Sequence, residues 1–210
     1  MNAIRQVFID TATVSVSFVT SPEVVSGWNE PSQLTGMTVG ALACHLVRGG
    51  FTVLPAILDE AEPPGTRAFN APRFYAGLTR DLDIEVHRGI RQSSAEAADG
   101  GPGSLVGADQ IVMELGARLA VEPVGRRVVV MDGIEMGLDD FLITRLVELV
   151  VHIDDLAASV EVPTPALPDL ATDLVISCLA GVARRRHGDL EVVRALARQE
   201  RTHPDVFPVF

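Results

Sequence analysis

Between Phe141 and Val160 the chain reads as a helix that is apolar almost all the way round, broken by one polar stripe of Arg145, Glu148, His152 and Asp155. Successive helical residues lie about 100° apart, so these spacings stack the four side chains on one face. Leu142, Ile143, Leu146, Val147, Leu149, Val150, Val151, Ile153 and Leu156 cover the rest. A helix apolar on most sides is buried, and buried charge is costly unless it is paired or bound to a metal. Any fold open to this chain must therefore pack other elements around this segment and give its stripe a partner.

The rest of the sequence supplies such elements. Helical periodicity marks residues 3–20, 38–60, 71–97, 105–121, 138–160, 168–187 and 189–200. Thr38 reads as an N-cap, Pro72 stands near a helix start, and Gly188 follows His187 as a stop. One hairpin interrupts the pattern: Arg127–Met131 and Ile134–Met136 flank Asp132-Gly133, a two-residue turn signal, and lead into the striped helix. Residues 62–65, 99–103 and 162–168 read as loops. The expectation is a mostly all-α fold in a single domain, 1–210, with a bundle over 1–160 and a C-terminal helical extension, 161–210, packed on it.

Composition narrows the function. A net charge of −11 argues against nucleic acid, because phosphate-backbone binding depends on clustered Lys and Arg. The one basic run, Arg184-Arg185-Arg186, falls at a helix end, where cations favour the dipole. No run of about 18 apolar residues and no basic-then-apolar leader is read, so no membrane partner and a cytoplasmic location are expected. Cys44 and Cys178 lie on separate helices without CxxC spacing and read as small core residues. The glycines of 99–103 lack the Lys-Ser/Thr ending of a phosphate loop, and there is no G-x-S-x-G elbow.

The chemistry lies in the stripe. Glu148 and His152 are one helical turn apart, the reach needed to bind one cation, although an isolated pair at this spacing is more often a hydrogen bond within a core. His45 offers a third donor: it sits beside the apolar arc of Val39, Leu42, Leu46, Val53 and Ile57, flanked by Thr38, Ala41, Gly49 and Thr52, whose small side chains leave room around the imidazole. His87, one turn after Asp83, reads as solvated, and His187 as a helix-end residue. Glu200 and His203 have Glu-x-x-His spacing, but once only and before Pro204, which disfavours a di-iron site. Two nitrogens and a carboxylate oxygen suit Zn²⁺ among the divalent metals, and three protein ligands leave a position open for catalysis. Asp155 could accept an imidazole N–H; Arg145 could offset the Glu148 charge or meet an anionic substrate. A plain Arg-Asp or Arg-Glu pair explains them equally well.

Two segments carry a resemblance. Trp28–Leu46, WNEPSQLTGMTVGALACHL, and Asp139–Ala157, DDFLITRLVELVVHIDDLA, resemble the N-terminal domain of mycothiol-dependent maleylpyruvate isomerases, within the DinB-like group of metal-binding four-helix bundles. The overall pattern covers roughly residues 1–160, and the ending from Arg194 to Phe210 is similar to tails in this group. The resemblance implies a DinB-like four-helix bundle with a short hairpin before the metal-binding helix and extra C-terminal helices. It places the family's metal ligands on His45, Glu148 and His152. It also implies mycothiol, or a similar low-molecular-weight thiol, whose thiolate attacks a small electrophile, giving isomerisation in the maleylpyruvate case and S-transfer in related members. The isomerase carries a separate C-terminal domain for substrate handling, whereas only residues 161–210 follow here, so maleylpyruvate itself is not implied. The alternative is a non-catalytic metal-containing helical binding module, a sensor or scaffold, and the blandest reading is a buried polar network. A homodimer is compatible with the sequence.

Overall fold

The computed structural model describes residues 1–65, 68–81, 84–201 and 203–209, without the side chains of 78–81, 84–87 and 132. Its elements are α1 (Ala3–Val19), α2 (Pro22–Ser26), α3 (Val39–Val47), α4 (Leu54–Asp59), α5 (Ala71–Asp81), α6 (Ile84–Ala98), α7 (Ala108–Val121), β1 (Arg127–Val130), β2 (Ile134–Gly137), α8 (Leu138–Ser159), α9 (Asp169–His187) and α10 (Asp189–Ala197). The fold is mostly α with a two-stranded antiparallel hairpin, as the periodicity and the resemblance lead one to expect.

α8 is the striped helix, and it lies against α1, α3 and α9. Leu142, Leu146, Leu149, Ile153 and Leu156 are wholly buried, which accounts for its nearly continuous apolar surface. α1 also packs on α7, α3 on α6, and α5 chiefly on α9. Arg5, 2% exposed, fastens this arrangement. Its Nε donates to Asp139 at 2.8 Å, and its Nη atoms donate to the carbonyls of Leu119, Glu122 and Pro123, so one guanidinium joins α1, the start of α8 and the end of α7. Cys44 and Cys178 are free and buried.

Several expectations need correction. The segment 38–60 is not one α-helix. Thr38 caps α3 by accepting from the Ala41 N–H, but Arg48–Thr52 winds as a π-turn before α4. Pro55 in α4 supplies the reason: it lacks an N–H and its ring clashes with a carbonyl four residues back, and the wider turn takes up the misfit. The segment 71–97 is described as helical over α5 and α6, and residues 82–83 between them lie outside the described residues. α7 begins at Ala108, because Gly101–Leu105 forms a 3-10 turn and Gly107 caps the helix at φ +88°. The hairpin loop has three residues, not two: Val130 pairs with Ile134, and Gly133 adopts φ +80°. A type I turn closed by a left-handed residue suits a three-residue loop. The last expected helix, 189–200, ends at Ala197, and α2 is an added short helix capped by Ser21.

The arginine run has specific partners beyond the helix dipole. Arg184 pairs with Asp189, Arg185 donates to Asn70 Oδ1, and Arg186 donates to the carbonyls of Val209 and Tyr75. Among the described residues, Val39–Asp59 is long and apolar enough by length and composition to cross a membrane, although His45, Arg48 and Thr52 interrupt its apolar run. Since 56% of its most apolar window is buried within the fold, that apolarity is used in core packing.

The crossing of α8 with the π-turn sets how closely the two halves of the stripe's surroundings approach. A Cβ on Gly50 would stand 2.3 Å from Leu149 Cδ2 and 3.1 Å from its Cγ, and Leu149 is fully buried with nowhere to move. Gly50→Ala is therefore expected to lower stability by about 1–3 kcal/mol, the usual cost of overpacking, as measured by urea unfolding. An unchanged midpoint would show that the crossing relaxes freely.

Candidate metal centre

α3 brings His45, and α8 brings Glu148 and His152, to one place at the side of that crossing. Glu148 Oε2 lies 3.5 Å from His152 Nε2 and 3.8 Å from His45 Nε2. One donor atom from each of the three residues falls within 4.8 Å of the other two. The imidazole rings meet edge to face, with centroids 5.0 Å apart. The side chains keep 18% (His45), 21% (Glu148) and 15% (His152) of their exposure, so the cluster sits at the bundle's margin, within reach of a small solute.

The neighbours orient these donors. His152 Nδ1 lies 3.0 Å from Asp155 Oδ2, which makes Nδ1 the proton-bearing nitrogen and turns Nε2 toward Glu148. Tyr75, from α5, places its hydroxyl 3.0 Å from Glu148 Oε1, leaving Oε2 to face both imidazoles. Arg145 makes no ion pair within 4 Å among the described residues. Its Nη1 donates to the Gly49 carbonyl at 2.6 Å, its Nε to Thr144 Oγ1 at 3.1 Å, and the guanidinium lies over the Phe141 ring. Gly49 belongs to the π-turn, and a Cβ there would come within 3.5 Å of Glu148 Oε2 and 3.9 Å of His45 Cε1. Its bare backbone thus keeps space open beside the donors.

The electrostatics follow from this geometry. Burial pushes the Glu148 carboxyl up, but the His152 hydrogen bond and the charges of Arg145, His152 and His45 outweigh it and hold the group at about 2. Burial pushes His152 down, and Asp155 and Glu148 more than reverse this, lifting it to about 9. His45 is lowered, first by burial and then by the charge of His152, despite Glu148. Without a cation, the cluster is a His152 imidazolium and a Glu148 carboxylate beside a neutral His45. Two imidazole nitrogens and a carboxylate oxygen converging in this way are a donor set that fits a divalent transition metal.

The other sequence candidates lie elsewhere. His187 is exposed at the end of α9, and His203 is exposed beside Asp205. His87 and Asp83 fall outside the described side chains. Tyr75 escapes sequence reasoning because no periodicity links it to Glu148. The available signal was that a tyrosine on an apolar helix face needs a partner for its hydroxyl.

A family model described as the mycothiol maleylpyruvate isomerase N-terminal domain matches residues 17–157, a segment that contains all three donors. No curated protein and no solved structure matches the chain.

Proposed function

Because the chain belongs to the mycothiol maleylpyruvate isomerase N-terminal domain family, a mycothiol-related group of metal-binding DinB-like domains, we propose that it is a metal- and thiol-dependent enzyme, an isomerase or S-transferase acting on a small electrophile. His45, Glu148 and His152 hold one divalent cation, and Zn²⁺ is the ion that best suits the donor set. The observation that carries this reading is the convergence of three donor atoms, drawn from two separate helices, within 4.8 Å. Bound there, the cation supplies Lewis acidity that lowers the pKa of a thiol such as mycothiol toward neutrality.

The chain's own residues supply the rest. Asp155 fixes the proton on His152 Nδ1 and so presents Nε2 as a donor. Arg145, held in place by the Gly49 carbonyl, adds positive charge beside the site and is positioned to meet an anionic group on the incoming molecule. Gly49 leaves room for that molecule next to the donors.

Protein prepared without chelator is expected to carry about one divalent metal per chain by elemental analysis. It should turn over an electrophile only when both metal and mycothiol are present, and His45→Ala should remove that turnover. A wild-type chain that takes up no added Zn²⁺ would sink the metal reading. Metal uptake with tight ligand binding but no conversion would instead make the protein a non-catalytic module.

A further inference from the structure

Tyr75 is the chain's one tyrosine, 6% exposed, and its hydroxyl shares its one proton between the Thr144 carbonyl at 2.9 Å and Glu148 Oε1 at 3.0 Å. Its helix rests mainly on α9, with a smaller contact to α8. At that seat Gly181 comes so close to Pro72 that a Cβ on it would stand 2.8 Å from the proline ring. Two polar ties reinforce the seat. Arg186 of α9 donates to the Tyr75 carbonyl at 3.4 Å, and its other terminal nitrogen donates to the Val209 carbonyl. Asp140 Oδ1 accepts the Ala71 N–H at 3.1 Å, pinning the start of α5 to α8. The position of the phenol over Glu148 is thus set in large part by α9, which lies beyond the matched segment 17–157.

We propose that Tyr75 is a positioning residue that turns Glu148 so that a single oxygen faces the two imidazoles, and that α9 acts on the site by holding Tyr75 there. This rests on the metal reading above. A carboxylate with both oxygens free can rotate and divide its time between orientations. One whose second oxygen is engaged presents the first in a fixed direction, the usual service of a partner behind a ligand.

The test uses the full chain and Zn²⁺ alone, with the Kd read by competition against a chromophoric chelator. Tyr75→Phe, which keeps the ring, is expected to weaken Zn²⁺ binding about 10- to 100-fold, the range for loss of such a partner. Gly181→Ala, far from the donors, should weaken it in the same direction by displacing α5. The double variant should match Tyr75→Phe to within about twofold, because both changes act through one hydroxyl. In the wild type, the tyrosine band of the near-ultraviolet difference spectrum should change in step with metal uptake and saturate at one equivalent, and in Gly181→Ala this change should shrink. An unchanged Kd in Tyr75→Phe, even with lowered thermal stability, would overturn the positioning role. Equal weakening by Gly181→Ala in the wild-type and Tyr75→Phe backgrounds would overturn the part given to α9. No Zn²⁺ uptake by the wild type would overturn the metal reading itself, an outcome distinct from the other two.

Discussion

His152→Ala is expected to abolish stoichiometric metal retention, leaving the purified variant with far less than one metal per chain by elemental analysis. The substitution removes the nitrogen nearest to Glu148 Oε2, at 3.5 Å, and leaves only His45, at 3.8 Å, on a different helix. Loss of a ligand should exceed the roughly 10- to 100-fold cost of losing a supporting partner, so affinity should fall by more than that range. The metal-free protein should suffer as well. Glu148 and Asp155 both lose their imidazolium, and stranding one member of a buried ion pair costs on the order of 3 kcal/mol. Thermal unfolding in chelator separates the two effects, since it reads the second alone. A variant that keeps one tightly held metal would place the ion elsewhere.

Metal stabilisation should grow steeply with pH between about 6.5 and 9. In the metal-free protein His152 is raised from 6.5 to about 9, so its contribution is complete below 6.5 and is lost as pH rises through about 9. Glu148 is lowered from 4.5 to about 2, so its contribution is present above 4.5 and is lost as pH falls through about 2. Both are in force from pH 4.5 to 6.5. His152 owes its rise first to Asp155 and then to Glu148, and Arg145 helps to lower Glu148, so it is the whole network that contributes on the order of 3 kcal/mol, with the attraction shared by Glu148 and His152 counted once. A bound cation reverses this preference, because it needs the Nε2 lone pair that the proton occupies. Apparent Zn²⁺ affinity should therefore rise about tenfold per pH unit below 9, with one proton released per metal bound. Thermal unfolding with and without Zn²⁺ across this range, together with proton release in weak buffer, provides the check. A flat affinity would mean that His152 is already neutral, or that it is not a ligand.

The legible part of this molecule was the part written in local periodicity. The stripe of α8 shows on one helix, and His45 shows as a polar residue beside an apolar arc with small neighbours, one of which, Gly49, faces the donors. The hairpin leading into α8 was likewise marked by Asp132-Gly133, although its loop is one residue longer. What periodicity could not reach was contact between elements. The π-turn at Arg48–Thr52 depends on how Pro55 is accommodated, Tyr75 meets Glu148 across the contact of α5 with α8, and the partners of Arg186 belong to the tail and to a distant helix. The contacts of Tyr75 and Arg186 are products of tertiary packing, and the π-turn is a local consequence of Pro55 that helical periodicity does not register.

The crossing of α8 over Gly50 also bears on how the protein matures. Glu148 and His152 come into register as soon as α8 coils, since they are neighbours along one helix. His45 joins them only when α3 has docked on α8, a step that closes a long loop of chain. If these residues hold the proposed cation, a chain in which only α8 has coiled offers two donors, and the full donor set exists only in the native helix pair. On the proposed metal reading, occupancy would report tertiary assembly rather than helix content, because a bound cation stabilises only the assembled chain.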